Sequence, residues 1–346
     1  MAAIAVVTSA PPLTGGGHLV IAHALEHALR EAGHQVGIVT TPSNRFGRQG
    51  PAYLANWLTD VGMTGDGRHV DQVISLRFPS YAVRHPKHVS WLNHTMREYY
   101  DLWDEFSAGL SPQGRVKEGV RRALIHRADT FFLGRVTKRF VQSGEIRERL
   151  MRWNHLDAEV LHPPPPPRPY RCDGYGDFLF FSSRLTALKR ADLLLRALAE
   201  PAAAGVRCII GGEGEARPAL ETLARELALD GRVTFTGALS EDALVDHLAR
   251  CRAVVFIPKR EDYGFVTVEA FASAKAVVTC ADSGGPLDFV VPAETGWVTE
   301  PAPAALATAL AGAMADAAGA ERMGRAARAR VAPMSWADVA RRLVIV

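Results

Sequence analysis

Two glutamates, Glu261 and Glu269, stand eight residues apart around Gly264 in the stretch EDYGFVTVEA. The apolar run RAVVFIP (252–258) before them reads as a buried strand, and Phe265, Val268 and Phe271 recur at helical spacing after them. The loop KREDYG, which includes Tyr263, is therefore expected at the carboxyl end of a parallel strand, the edge where open α/β sheets bind ligands. The amides of Gly264, Phe265 and Val266 would open the helix, and their unpaired donors favour an anion such as phosphate. Glu269 lies about five residues up that helix, roughly 7 Å along its axis. Carboxylates on either side of a bound phosphate suit a ligand with hydroxyls on both sides of it, the pattern of a nucleotide sugar: ribose diol, diphosphate, sugar.

A diphosphate needs cations. SSRLTALKR (182–190) supplies Arg184 at a strand end and Lys189 about one turn later; arginine grips phosphate bidentately and lysine acts as a mobile point charge. The turn GGEGEA (211–216) gives close backbone approach at Gly212 and Gly214, and SGGPLDFV (283–290) adds a glycine-rich turn on the same side of the expected sheet.

These loops need a scaffold of alternating strands and helices. AIAVVT (3–8), the glycine loop Gly15-Gly16-Gly17, a helix over 19–33 with Leu25, Ala28, Leu29 and Ala32 on one face, and the strand in GHQVGIVT form one such unit. Strands are expected at 70–76 and 88–94, and RRALIHRA (121–128) as a helix. LHPPPPPRPY (161–170) interrupts the pattern, because five prolines have no donors for a ladder and hold an extended conformation. The alternation then restarts at DFLFFSS and runs through the helix that carries Glu269. The expected fold is α/β: two doubly wound parallel-sheet domains over 1–165 and 166–330, with a C-terminal helix in 331–346 packing back on the first.

Composition narrows the class. The 346 residues are 48% apolar, enough for two cores. Forty basic against 37 acidic side chains argue against nucleic acid as the main partner. Cys172, Cys208, Cys251 and Cys280 have neither disulfide nor zinc spacing, so they read as reduced thiols in a cytoplasmic protein. The N-terminus lacks a basic signal-peptide start, and the Ala-rich window 301–315 is shorter than the roughly 20 residues a membrane span needs. His85 and His88 have no carboxylate or cysteine at ligand spacing, so no metal is expected. Residues 115–152 hold eleven Lys or Arg against four acids. That run fits either an ordinary solvated helix surface or peripheral contact with an anionic membrane or acidic acceptor.

Taken together, Arg184, Lys189, the Gly212–Gly214 turn, Glu261 with Glu269, and Ser283-Gly284-Gly285 resemble glycosyltransferase family 4 enzymes of the GT-B fold. TGGGHLVIAHALEHALREAGHQV, residues 74–103 and VQSGEIRERL extend the resemblance to the first half. It implies two Rossmann-like domains facing a central cleft and retaining, metal-independent transfer from a nucleotide-diphosphate sugar to a hydroxyl acceptor. In similar enzymes the residue matching Glu269 binds ribose and that matching Glu261 contacts the donor sugar. Arg184 and Lys189 would hold the diphosphate, Gly15, Gly16 and Gly17 would face it from the other domain, and His94 would lie near the reacting sugar. Ala274-Lys275-Ala276 departs from the usual glycine and proline there and is expected to affect packing more than chemistry.

Two other enzyme classes share this architecture. An NAD-dependent oxidoreductase would need glycine or alanine where Val20 stands, and an acid about 20 residues beyond the glycines. A nucleotide-sugar epimerase of the same two-domain fold is the closer alternative. It would change the donor sugar without an acceptor.

Overall fold

The computed structural model describes residues 1–11, 17–43 and 47–346, with the backbone alone for His18. It divides into two compact units, Met1–Pro163 with Ser335–Val346, and Pro164–Met334.

In the first unit the chain runs β1 (Ala3–Ala10), α1 (Gly17–Glu31), β2 (Gln35–Pro42), α2 (Gln49–Leu58), β3 (Gln72–Ser75), β4 (His88–Leu92), α3 (Trp103–Ala108), α4 (Pro112–Gly134), β5 (Lys138–Val141), α5 (Gly144–Asn154) and β6 (Glu159–Val160). The strands pair in parallel in the order β2-β1-β3-β4-β5-β6. Every residue of β3 and β4 is buried, as expected of strands covered on both faces. Helix α1 buries Ile21, Ala22, Leu25, Ala28 and Leu29; Ala32, expected on that face, is exposed in the turn beyond the helix end. Helix α4 starts where Ser111 Oγ accepts the Gly114 amide at 3.1 Å with Pro112 in its first turn, and it runs on through Gly134.

The second unit follows as β7 (Leu179–Ser182), α6 (Ala191–Ala199), β8 (Cys208–Gly211), α7 (Arg217–Glu226), β9 (Val233–Gly237), α8 (Glu241–Arg250), β10 (Ala253–Val255), α9 (Phe265–Ala272), β11 (Val277–Cys280), β12 (Gly296–Thr299), α10 (Pro303–Ala315) and α11 (Ala317–Val331). Its parallel order is β12-β11-β10-β7-β8-β9. The winding direction reverses between β7 and β10, and the crevice beyond their carboxyl ends is where this topology binds ligands. One side of the sheet packs Leu179, Phe181 and Ile210 under Leu194, Leu195 and Leu198 of α6. The other packs Phe180, Val254 and Phe256 under Val268 and Phe271 of α9.

The chain then returns to the first unit as α12 (Trp336–Leu343). Gln72 Nε2 donates to the Leu343 carbonyl at 2.6 Å, the Ile345 amide donates to Gln72 Oε1 at 2.8 Å, and Trp336 meets Trp91 edge to face.

Candidate functional site

Arg184, Lys189, Glu261 and the amides before α9 all lie at the carboxyl ends of β7 and β10, the reversal point of the second sheet. Three loops are knitted together there. Lys259 N donates to Leu188 O, Arg260 N to Asp282 O and Glu261 N to Ser283 O, each at 2.8 Å. Gly285 N returns a bond to Glu261 O at 2.8 Å. Gly284 sits at φ +73°, and a Cβ there would lie 2.6 Å from the Glu261 carbonyl. Only glycine allows this approach. Gly264, at φ +83°, similarly leaves no room for a side chain against Phe256.

Helix α9 has no side-chain cap at Gly264. The Thr267 amide bonds back to Gly264 O, while the amides of Gly264, Phe265 and Val266 have no partner among the described residues. An anion fits this opening. Arg184 is exposed and makes no ion pair among the described residues, so its guanidinium is available to a ligand. Lys189 is differently placed from the expected free phosphate contact: its Nζ lies 2.5 Å from Glu261 Oε2 and 5.5 Å from the Phe256 ring centroid. The pair brings one carboxylate and one cation to the same point, each able to exchange its partner for a ligand group.

Glu269 is buried on α9, and its carboxylate accepts from Arg168 Nη1 and, at 3.2 Å, from the Tyr170 hydroxyl. Burial raises its proton affinity, opposed by the Arg168 charge and these hydrogen bonds. Arg168 also reaches Glu241 at 3.2 Å.

Several expected contacts take other forms. The Tyr263 ring is buried against Phe265 and Phe289, with centroids 5.2 and 5.7 Å away. Gly212 and Gly214 are pressed against this chain rather than left open: a Cβ would lie 1.9 Å from Ser183 O and 2.2 Å from Leu185 O respectively. These glycines let the 211–216 turn support the loop that carries Arg184. Gly15 and Gly16 lie outside the described residues, Gly17 begins α1, and His94 follows β4 with its carbonyl accepting the Phe78 amide at 3.2 Å. These last groups belong to the first unit, whereas the glutamates and their cations belong to the second. Lys275, at the departure from the usual pattern, is fully buried, with its amine bonded to Gly174 O and 4.1 Å from the Tyr175 ring centroid.

Four supporting residues escaped sequence reading. Arg190 donates to the carbonyls of Ile257 and Pro258 at 2.7 Å and clamps Asp282 bidentately at 2.7 and 2.8 Å. It thereby holds the loops of Glu261 and Gly284 together. Arg190 closes the quoted SSRLTALKR motif, but nothing local marks Asp282 as its partner. Arg168 and Tyr170 follow the prolines directly, and their only sequence signal is polarity after an apolar run. Among the described residues, no group of three or more His, Cys, Asp or Glu side chains is arranged to hold a metal ion.

Residues 171–330 match the family model described as glycosyl transferases group 1. A D-inositol 3-phosphate glycosyltransferase of Nocardia farcinica is 37% identical over 175 residues, 47% of this chain and 38% of that relative. The chain thus spans well under half the length of this curated relative. Among solved structures, a sucrose-phosphate synthase from Thermosynechococcus elongatus superposes with a TM-score of 0.73 at 18% identity, covering 98% of this chain and 96% of the other. Anabaena Alr3699/HepE, solved with UDP and glucose, superposes with a TM-score of 0.69 at 15% identity, covering 98% and 97%. The chain has the GT-B fold, and its residues 171–330 match the group 1 glycosyl transferases.

Proposed function

We propose that the chain is a retaining glycosyltransferase of family 4 that moves a sugar from a nucleoside-diphosphate sugar to a hydroxyl acceptor. The observation that carries this reading is the meeting, at the reversal point of the second sheet, of two carboxylates with three amides at the start of α9 and an Arg184 guanidinium that have no partner among the described residues. The amides and Arg184 take the diphosphate, and the same positive groups stabilise the charge that develops as it leaves. Glu269 accepts from the ribose diol while Arg168 keeps its charge compensated. Glu261 exchanges Lys189 for the sugar hydroxyls, and the released ammonium turns to the phosphate. A group 1 match over 171–330 and the fold shared with a UDP- and glucose-bound structure support a nucleotide-sugar donor.

The two glutamates then do separable work. Hydrogen bonds to a charged group contribute about 1.5–3 kcal/mol, so Glu269→Ala should weaken nucleoside-diphosphate binding roughly ten- to a hundred-fold. Glu261→Gln should leave that affinity nearly unchanged, because the diphosphate lacks the sugar, and should lower turnover instead. Calorimetry with UDP, GDP and ADP on both variants, with turnover measured on the donor so identified, separates the roles. If Glu261→Gln alone lost the nucleotide, the assignment would be wrong.

Transfer in this reading needs no divalent ion. The chain contains no Asp-x-Asp motif, and Arg184 with Lys189 supplies the two charges that a metal otherwise provides. Turnover should survive EDTA unchanged. Loss with EDTA and recovery with magnesium or manganese would overturn the point.

A further inference from the structure

Helix α4 divides its side chains in an unusual way. Val116, Val120, Leu124 and Phe131 recur every four or seven residues, share one face with Arg127 and are 71, 59, 59 and 51% exposed. Beside them α2 exposes Leu54 and Leu58 by 57 and 63%. The two helices are neighbours, since Trp57 lies 6.2 Å from Phe131 and Tyr53 stacks on Phe132 at 5.4 Å. A groove of about 490 Å³ between them is lined by Gly50 and Tyr53 on one side and Val120 and Leu124 on the other.

The charges that α4 turns outward have one sign. Helix α2 carries no charged residue. The two carboxylates of α4 both turn inward: Glu118 to Tyr99 and Arg121, Asp129 to Tyr53, Tyr81 and Tyr100. Arg115, Lys117, Arg127 and Arg135 remain exposed along the helix, and the Arg84 guanidinium stacks 5.1 Å over Trp57. The basic run 115–152 is therefore not one surface, because Arg149 is 1% exposed and bonded to Asp101, and Arg147 pairs with Asp157. The part that faces outward is α4.

We propose that the α2–α4 face docks on an anionic lipid bilayer, with Leu54, Leu58, Val120, Leu124 and Phe131 entering the headgroup boundary and the basic side chains meeting lipid phosphates. Charge complementarity selects this occupant: an apolar stripe flanked along α4 by outward-facing cations, with a tryptophan at its edge, matches an anionic interface. Among the described residues no helix is long and apolar enough to cross a membrane, so the contact is peripheral. Docking does not depend on the transfer reaction.

Sedimentation of the full chain with vesicles tests it. The parent should partition onto mixed phosphatidylcholine–phosphatidylglycerol vesicles, should leave them at high salt, and should ignore phosphatidylcholine alone. Each removed cation weakens binding about fivefold, so Lys117→Gln with Arg127→Gln should cost roughly 30-fold. Val120→Ser with Leu124→Ser should cost at least about tenfold. Both double variants alter exposed positions, so their melting temperatures and their affinity for nucleoside diphosphate should match the parent. No partition of the parent onto anionic vesicles, or equal partition of parent and both variants, overturns the proposal. A self-associating parent that the serine variant makes monomeric, with no vesicle binding, assigns the face to a second copy and overturns it too.

Discussion

Asp129 shows how one buried residue shapes the first unit. Its carboxylate accepts from the hydroxyls of Tyr53, Tyr81 and Tyr100, so α2, α4 and the segments after β3 and β4 converge on a single group. Burial pushes the Asp129 carboxyl up to about 6, against the hydrogen bonds from Tyr100, Tyr53 and Tyr81, which favour its charged form. The folded value lies above the ordinary 3.8, so the folded state binds the proton more tightly. That stabilisation is complete below about pH 4 and is lost as pH rises through about 6, at most about 3 kcal/mol. Asp129→Asn should therefore flatten the pH dependence of the melting temperature between pH 4 and 6. Parallel profiles for parent and variant would show that Asp129 does not titrate there.

At the level of elements, the site depends on how closely three loops approach, and glycine sets that limit. Gly284 combines φ +73° with a carbonyl 2.6 Å from any added Cβ, whereas Gly33 at φ +85° has nothing within 4 Å. Gly33→Ala should cost about 1 kcal/mol, the conformational penalty alone. Gly284→Ala must also push the Glu261 segment aside, so it should cost at least about 2–3 kcal/mol and weaken the Lys189–Glu261 pairing. Denaturant midpoints of the two variants measure the difference. Equal losses would mean that the 261 and 284 segments yield freely and do not position Glu261.

For the molecule as a whole, the last segment matters beyond its length. Helix α12 buries Val339, Ala340 and Leu343 in the first unit and satisfies the side-chain amide of the fully buried Gln72. Ending the chain at Met334 removes about 5 kcal/mol of apolar burial and leaves that amide unsatisfied. The shortened chain should melt well below the parent, with the loss confined to the first unit and nucleoside-diphosphate affinity at the Pro164–Met334 site retained. A melting temperature equal to the parent's would show that α12 is dispensable there.

Local pattern alone made the alternating elements legible, because the runs at 88–92, 179–182 and 253–255 are mostly apolar and bounded by turns or helical periodicity. The features proposed to meet a phosphate were legible for the same reason: a helix start after glycine, and Arg184 just past a strand, are properties of contiguous residues. Tertiary structure decided the partners. Glu269 finds Arg168 across 101 positions and Arg190 finds Asp282 across 92. It also decided that Gly214 yields to Leu185 and that Glu118 and Asp129 turn inward, leaving α4 a face of one sign. Strand order brings such residues together, and strand order follows from how the whole sheet buries its two faces. A spacing of four to eight residues can specify a turn or a helix face, but a contact across a hundred exists only once the strands between have taken their places.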